Sequence, residues 1–450
     1  MLKFKQILLL IVLSIGFVMA VLDTTGVVLA VPEIKNFMEV SLSNSIWIIN
    51  AYILALGSLL LLAGNLATKF GAKRILVLGM SIFTLASVGC SLASNIFMLI
   101  SLRLIQGFGA ALFMPASLTL LFLAYPEAKK RAQMLGIWSA IISVATGAGS
   151  FIGGTMISFF GWKSIFLINV PLGILSIIFI SILVEKTAVK SDVKIDVFDN
   201  LLLILTLGSA IIYLVEGNNF GYDNLKILLF LLLTIIFAVI LVVREKSSKN
   251  PIIPVILVRN KSFLMANFLG FLTNISLYGI VLVLGLYFQN FRQLSPMISG
   301  LVIFPGMAVI VIGNLVYARL IKRFSLSNLT SFSLIATIIA VLILTIFSSI
   351  LQPLPIGIFV LFFAFMSFGI GILSPATTTL IMETAGKEFS GIAGATLNAN
   401  KQIGGLFGTA LMTIVLVNFS ANWNFVLTIT FFINIVIYVI CLMSTKKTAN

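Results

Sequence analysis

The chain is a succession of long apolar blocks broken by short polar stretches. Uncharged runs cover 40–68, 75–102, 104–126, 132–162, 164–184, 227–243, 262–291 and 293–318. A membrane-spanning helix needs about 20 such residues. The uncharged stretch 324–382 has room for two spans around Gln352-Pro353-Leu354-Pro355, and 402–445 must turn near Asn418 to Asn424. The pattern predicts fourteen helical spans, at about 7–30, 45–67, 75–94, 97–124, 132–158, 162–184, 198–217, 225–244, 262–290, 298–318, 329–350, 355–380, 389–417 and 423–444. Short segments alternating apolar and polar, which would mark a transmembrane barrel, are not the pattern here. The first run continues to Ala30 with no convincing small-residue cleavage site, so it is expected to be the first span and not a cleaved leader.

Composition narrows the class. Apolar residues make up 60% of the 450 positions and charged residues 9%, against about 25% charged in a soluble domain. That excludes a soluble enzyme, a disordered chain and a coiled coil, and leaves an all-α polytopic membrane protein. There is no histidine, so His-based catalysis and His metal sites are out, and proton chemistry must rest on carboxylates. The two cysteines, Cys90 and Cys441, lie inside apolar runs and imply no metal cluster or disulfide framework. The net charge of +15 does not indicate nucleic acid, because the basic residues sit in short loops between spans. With both termini in the cytoplasm, 22 of the 28 Lys and Arg fall inside, and Lys35, Lys163, Lys226 and Arg292 outside. The positive-inside rule therefore sets the orientation and supports an even number of spans. A cytoplasmic membrane of bacterial type is the expected location.

The chain also repeats itself. Lys69-Phe70 before span three returns as Arg323-Phe324 before span eleven, at a shift of 254. Gly136, Gly149 and Gly153 return as Gly391, Gly404 and Gly408, at a shift of 255. Two six-helix bundles, 1–184 and 262–450, with two extra helices in 185–261, would produce this. Duplicated halves with a site between them are a transporter signature.

Few polar residues interrupt the spans. Asp23 breaks the first one, beside Thr24 and Thr25. An intramembrane carboxylate is costly, usually faces a cavity, and marks function more often than structure. Asp23 is therefore the candidate proton carrier; the bland alternative is a structural carboxylate bonded to a neighbouring helix. Arg103, in Arg103-Leu104-Ile105-Gln106-Gly107, is positioned to couple to a nearby carboxylate or to anchor packing. Lys401 lies early in span thirteen, with Asn398 and Gln402 one turn or less away, and either snorkels to the cytoplasmic face or lines a cavity. Glu33, after Pro32, either accepts protons from outside or is an ordinary end charge. Asp196 and Asp199 open span seven, where carboxylates favour a helix N-terminus; Glu216 near its far end is ambiguous. Gln106, Asn169, Asn267, Asn274, Tyr278, Gln289 and Asn398 are the other polar groups, among 38 Phe and 15 Met. Such a lining suits lipophilic cargo. Gly147, Gly149, Gly153 and Gly154 in span five permit close packing and bending. The stretch Gly64-Asn65-Leu66-Ala67-Thr68-Lys69-Phe70-Gly71-Ala72-Lys73-Arg74 reads as a short basic cytoplasmic loop, either a latch between the halves or a purely topogenic element.

These features resemble the major facilitator superfamily, specifically its fourteen-span drug:proton antiporters. The resemblance rests on Leu22-Asp23-Thr24-Thr25-Gly26 through Pro32, on the 64–74 segment, on Arg103 to Ala111, on the glycines of span five, and most specifically on Trp162-Lys163-Ser164-Ile165-Phe166-Leu167-Ile168-Asn169-Val170-Pro171-Leu172-Gly173. Asp196-Val197-Phe198-Asp199, Arg259-Asn260-Lys261-Ser262-Phe263 and Lys401-Gln402-Ile403-Gly404-Gly405 add to it, so that it covers nearly the whole chain. Three positions depart from the family pattern: Thr68 in place of Asp, Ser150 in place of Pro, and Lys401 in place of Arg.

The resemblance implies a major facilitator fold and a monomeric proton-coupled exporter that needs no cofactor beyond the proton gradient. The expected cargo is lipophilic cationic or zwitterionic drugs, such as antiseptics, dyes and fluoroquinolone-like antibiotics. Asp23, Arg103 and Glu33 would couple protons. Asp23, Gln106, Asn274, Tyr278 and Asn398 would contact substrate. Gly64, Gly71, Arg74, Gly149, Gly153 and Gly154 would serve gating. An exchanger of one metabolite or ion on the same scaffold is the alternative, since fold does not dictate substrate. An intramembrane enzyme would need a nucleophile–base pair or a metal cluster, and the sequence offers neither. A transport-inactive sensor would not need both Asp23 and Arg103.

Overall fold

The computed structural model describes residues 2–40, 42–185, 196–248, 251–294, 296–351, 353–419 and 422–446. Lys186, Lys190, Lys194, Lys249 and Lys447, which count toward the orientation, and Gln352 of the expected turn lie outside these residues.

The described chain is helical from end to end. In order, the helices are α1 Leu2–Met38, α2 Leu42–Phe70, α3 Ala72–Leu92, α4 Ile96–Ala124, α5 Ala128–Phe160, α6 Ser164–Leu167, α7 Asn169–Leu183, α8 Val197–Phe220, α9 Leu225–Ser247, α10 Val255–Arg259, α11 Lys261–Leu286, α12 Pro296–Leu320, α13 Leu326–Ile350, α14 Ile356–Ala385, α15 Ser390–Phe419 and α16 Trp423–Lys446. A π-helical turn, Tyr287–Phe291, extends α11. Helix covers each of the fourteen expected segments. Among the described residues, twelve stretches are long and apolar enough to cross a bilayer. The other long helices, α5 and α15, have 33 and 30 residues.

Local chemistry sets the ends. Asn95, Asn260 and Ser325 accept hydrogen bonds from the main-chain N–H three residues on, at 2.9, 3.1 and 3.2 Å, which satisfies otherwise orphaned donors at the starts of α4, α11 and α13. Two expectations change. The sixth span is interrupted at Ile168, between α6 and α7. The expected basic loop 64–74 is nearly all helix: α2 runs to Phe70, and Gly71 alone, at φ 89°, makes the turn into α3. A positive φ of this kind favours glycine.

One large core joins α1–α5 through residues such as Phe17, Met80, Phe83, Phe113 and Trp138. A second joins α11, α13, α14 and α16 through Leu284, Tyr287, Phe363, Met366 and Tyr438. The first core continues into Phe263, Ala266, Ile381, Met382 and Ile392, at the end of the bundle that carries Lys69, Lys73, Arg74, Lys129, Arg131 and Lys387. At this basic end α2, α4 and α5 pack on α12, α14 and α15. A methyl added at Gly64 of α2 would stand 2.7 Å from both the Gly391 carbonyl and the Ala395 Cβ of α15, so small residues let the two helices approach closely there. The extra pair, α8 and α9, packs mainly on itself and on α2. Only 6% of the α9 span is buried, which leaves its Leu, Ile and Val side chains for lipid.

Candidate functional site

Asp23 sits on α1 and is completely buried. The expectation that it faces a cavity does not hold in this conformation. Two elements, α4 and α7, supply its donors. Arg103 and Gln106 share a face of α4, three residues apart. Arg103 Nη1 donates to Asp23 Oδ2 at 2.5 Å and to Gln106 Oε1 at 2.7 Å. Gln106 Nε2 donates to Asp23 Oδ1 at 2.9 Å and to Ser87 Oγ of α3 at 2.9 Å. Asn169, at the start of α7, donates from Nδ2 to Asp23 Oδ1 at 3.2 Å.

The cation is held as firmly as the anion. Arg103 Nε donates to the Ile48 carbonyl of α2 at 2.9 Å. The guanidinium lies 4.4 Å over the Tyr52 ring and 5.8 Å from that of Phe166, contacts that attract a cation to the ring face. Asp23 accepts from three side chains, Arg103, Gln106 and Asn169, and the contact to Arg103 is a charge-assisted pair. Breaking one partner of a buried pair of this kind leaves the other uncompensated. A proton delivered to Asp23 would therefore strand Arg103 and force the α1–α2–α4–α7 packing to rearrange.

The structure thus brings Asp23, Arg103 and Gln106 together, and all three are fully buried. It adds Ser87 and Tyr52, to which sequence reasoning gave no role, and Asn169, which it placed among the polar groups of the spans but not with Asp23. Asn169 was within reach, since it lies in the most distinctive motif. Ser87 and Tyr52 carried no signal, because a lone hydroxyl in an apolar helix usually bonds its own backbone.

Asn274 and Tyr278 on α11 and Asn398 on α15 take no part in the Asp23 network. Tyr278 is 44% exposed. Asn274 donates to the Gly270 carbonyl at 2.7 Å and Asn398 to that of Gly394 at 2.8 Å. Glu33 is exposed and accepts from the Trp162 backbone N–H at 3.3 Å, beside Gly161 at φ 74°.

The gating candidates separate too. Gly153 packs on Gly26 of α1, where an added methyl would come within 2.8 Å of the Gly26 Cα. Gly149 faces Thr25, whereas Gly154 has only Leu29 Cδ1 at 3.8 Å. Arg74 is exposed, and Thr68 bonds the Gly64 carbonyl of its own helix at 3.1 Å. The charged link across the basic end lies elsewhere, between Arg131 of α5 and Glu383 of α14. Their contacts are bidentate, Nε to Oε1 at 2.7 Å and Nη2 to Oε2 at 2.6 Å. Arg131 Nη1 also donates to the Tyr125 and Pro126 carbonyls at 3.0 Å each, and its guanidinium lies 4.3 Å over Phe122. Sequence reasoning counted Arg131 only as a topogenic charge and gave Glu383 no role, because nothing in the linear order pairs positions 252 residues apart.

Comparisons agree with this architecture. A family model described as Major Facilitator Superfamily matches residues 13–409. A methylenomycin A resistance protein of Bacillus subtilis (strain 168) is 42% identical over 92% of this chain and 88% of its own length. One from Streptomyces coelicolor is 39% identical over 92% and 86%. The multidrug resistance protein Stp of Mycobacterium tuberculosis is 29% identical over 91% and 76%. Among solved structures, the human organic anion transporter MFSD10 superimposes with a TM-score of 0.70 over 98% of this chain and 99% of its own, at 13% identity. The proton:xylose symporter XylE gives 0.64 over 97% and 95%, also at 13%. At that identity the likeness concerns the fold alone.

Proposed function

The chain belongs to the Major Facilitator Superfamily, a transporter and not an enzyme, and from that premise we propose that it exports small lipophilic antibiotics in exchange for protons. The 42% identity to a methylenomycin A resistance protein supports a small antibiotic as cargo. The Asp23–Arg103–Gln106–Asn169 network is the observation that carries proton coupling. It is an ion pair sealed inside one bundle, which a proton can discharge.

The membrane reading follows. α5 and α15 supply the two remaining crossings: at 1.5 Å per residue they reach roughly 50 and 45 Å, well beyond an apolar core of about 30 Å. Fourteen crossings divide into bundles 1–184 and 262–450, with α8 and α9 between them, and the basic end lies in the cytoplasm. The halves are joined at that end here, so the cargo path opens on the opposite side. In the exchange cycle, protonation of Asp23 from outside loosens its hold on Arg103. Only a proton or cargo that binds the two states unequally can drive the switch. The protein works as a monomer, with the proton gradient as its energy source.

The test uses everted membrane vesicles with an acidified lumen. Addition of a transported antibiotic is expected to alkalinise the lumen with the wild type and not with Asp23→Asn. A full response in Asp23→Asn would remove Asp23 from coupling, and no response of the wild type to any antibiotic in a broad panel would overturn the export reading.

A further inference from the structure

Most charges buried in the spans have an opposite partner, and Lys401 and Glu216 stand apart among the described residues. Among the described residues Asp23 is paired with Arg103, Glu383 with Arg131, and Asp199 with Arg244. Lys401 of α15 is half-buried, and its ammonium makes no hydrogen bond or ion pair among them. The helices packed against α15 are chiefly α2, α4, α8, α11, α14 and α16. Their acids are Asp199, Glu216 and Glu383. Two of these are already taken. Glu216, which has a buried oxygen without a partner, sits too far along its helix. α8 meets α15 where Leu203 clusters with Ala395. Counting 1.5 Å per residue from there puts Glu216 roughly 10 Å further along the bundle than Lys401.

The stripe of α15 that carries Lys401 faces inward. Gly394, Asn398, Lys401 and Gly405 follow at steps of four, three and four, which aligns them on one side of a helix. At one end of the stripe, a methyl on Gly394 would lie 3.0 Å from the Pro115 carbonyl of α4, in the opposite half. At the other, a methyl on Gly405 would lie 3.1 Å from the Tyr278 ring of α11, which is itself 44% exposed. The α16 side of the α11–α15 seam is different, an open groove lined by Leu272, Ile275, Leu411 and Phe432 without a charge. Lys401 therefore lies on the side of α15 that meets the opposite half at Gly394, one helical turn before Gly405, which packs on Tyr278.

An ammonium without a counter-charge in a span is costly, and a ligand that supplies the counter-charge recovers that cost. The one intramembrane carboxylate of the N-terminal bundle cannot attract cationic cargo here, because Arg103 already neutralises it. Resting on the export reading above, we propose that Lys401 contacts the cargo directly and binds its carboxylate. The protein then selects small amphipathic acids and zwitterions over simple lipophilic cations, which reverses the charge preference expected from the resemblance. Tyr278 offers a ring and a hydroxyl to the rest of the molecule.

The test follows uptake of pyrenebutyrate (a lipophilic monocarboxylate) and of ethidium (a cation) into energised everted vesicles. Wild type, Lys401→Arg and Lys401→Met are compared at matched amounts of monodisperse protein. Pyrenebutyrate uptake is expected with the wild type and with Lys401→Arg. Lys401→Met is expected to raise its KM by about tenfold to a hundredfold, the scale of one charged hydrogen bond, with a much smaller change in kcat. Unchanged pyrenebutyrate kinetics in Lys401→Met would overturn the assignment. Wild-type uptake of ethidium without pyrenebutyrate would overturn it as well and leave export standing; uptake of neither probe would also overturn it, and export itself then falls only if the antibiotic panel gives no response.

Discussion

The Arg131–Glu383 pair should decide how strongly the basic end stays shut. The perturbation is Glu383→Gln, which keeps shape and removes charge. Two charges about 4 Å apart attract by about 4 kcal/mol at an effective dielectric of 20. Part of that is offset by desolvation, since the side chains are only 7% and 30% exposed. Arg131 also keeps two carbonyl partners and the Phe122 face when the carboxylate is lost. The net loss is then about 1.5–3 kcal/mol, the range for a hydrogen bond to a charged group. Because the pair joins α5 of one half to α14 of the other, opening this end must break it. The closed-to-open ratio should therefore fall by about 10- to 150-fold.

Spin labels at the exposed Lys129 and Lys387, in a chain with the buried Cys90 and Cys441 replaced by Ser, would report the separation by double electron–electron resonance. The wild type is expected to show mainly the short distance and Glu383→Gln a large long-distance population. Exchanging the charges, Arg131→Glu with Glu383→Arg, should return much of the short one. An unchanged distance distribution in Glu383→Gln would refute the reasoning.

Other consequences are open to direct test. Arg103→Met alone leaves Asp23 buried and uncompensated, at a cost of about 3–5 kcal/mol; adding Asp23→Asn should recover most of the lost melting temperature in detergent without restoring proton-coupled export. Gly153→Ala pushes a methyl toward the Gly26 backbone and should cost about 1–3 kcal/mol, seen as a lowered Tm, whereas Gly154→Ala, with 3.8 Å to its nearest neighbour, should melt like the wild type. Glu33→Gln keeps the oxygen that accepts from Trp162, so export rates in vesicles should stay within about twofold of wild type, as expected for an exposed group.

Much of the architecture was legible because the bilayer imposes a strong code. Charge is scarce and apolar runs must reach a minimum length, so helices could be located from hydropathy alone. Asp23 and Arg103 stood out for the same reason, as charges where charge is expensive. The basic segment 64–74 was misread because its charges suggested a loop, while Gly71 alone suffices for the turn. The latch between the halves was sought in that segment, whereas the charged link joins Arg131 to Glu383, a pairing that no linear spacing reveals.

By itself, then, the sequence determined that this is an all-helical membrane protein, where its helices run, and which few charges interrupt them. Burial of apolar length and the cost of intramembrane charge are local quantities, readable one segment at a time. Only the tertiary structure decided which charges meet. It sealed Asp23 against Arg103 instead of exposing it to a cavity, joined Arg131 to Glu383 across the seam, and left Lys401 without a partner among the described residues. Those outcomes depend on helix phase and on contacts between segments far apart in the chain, and a buried ion pair acts over a few ångströms that no linear spacing encodes.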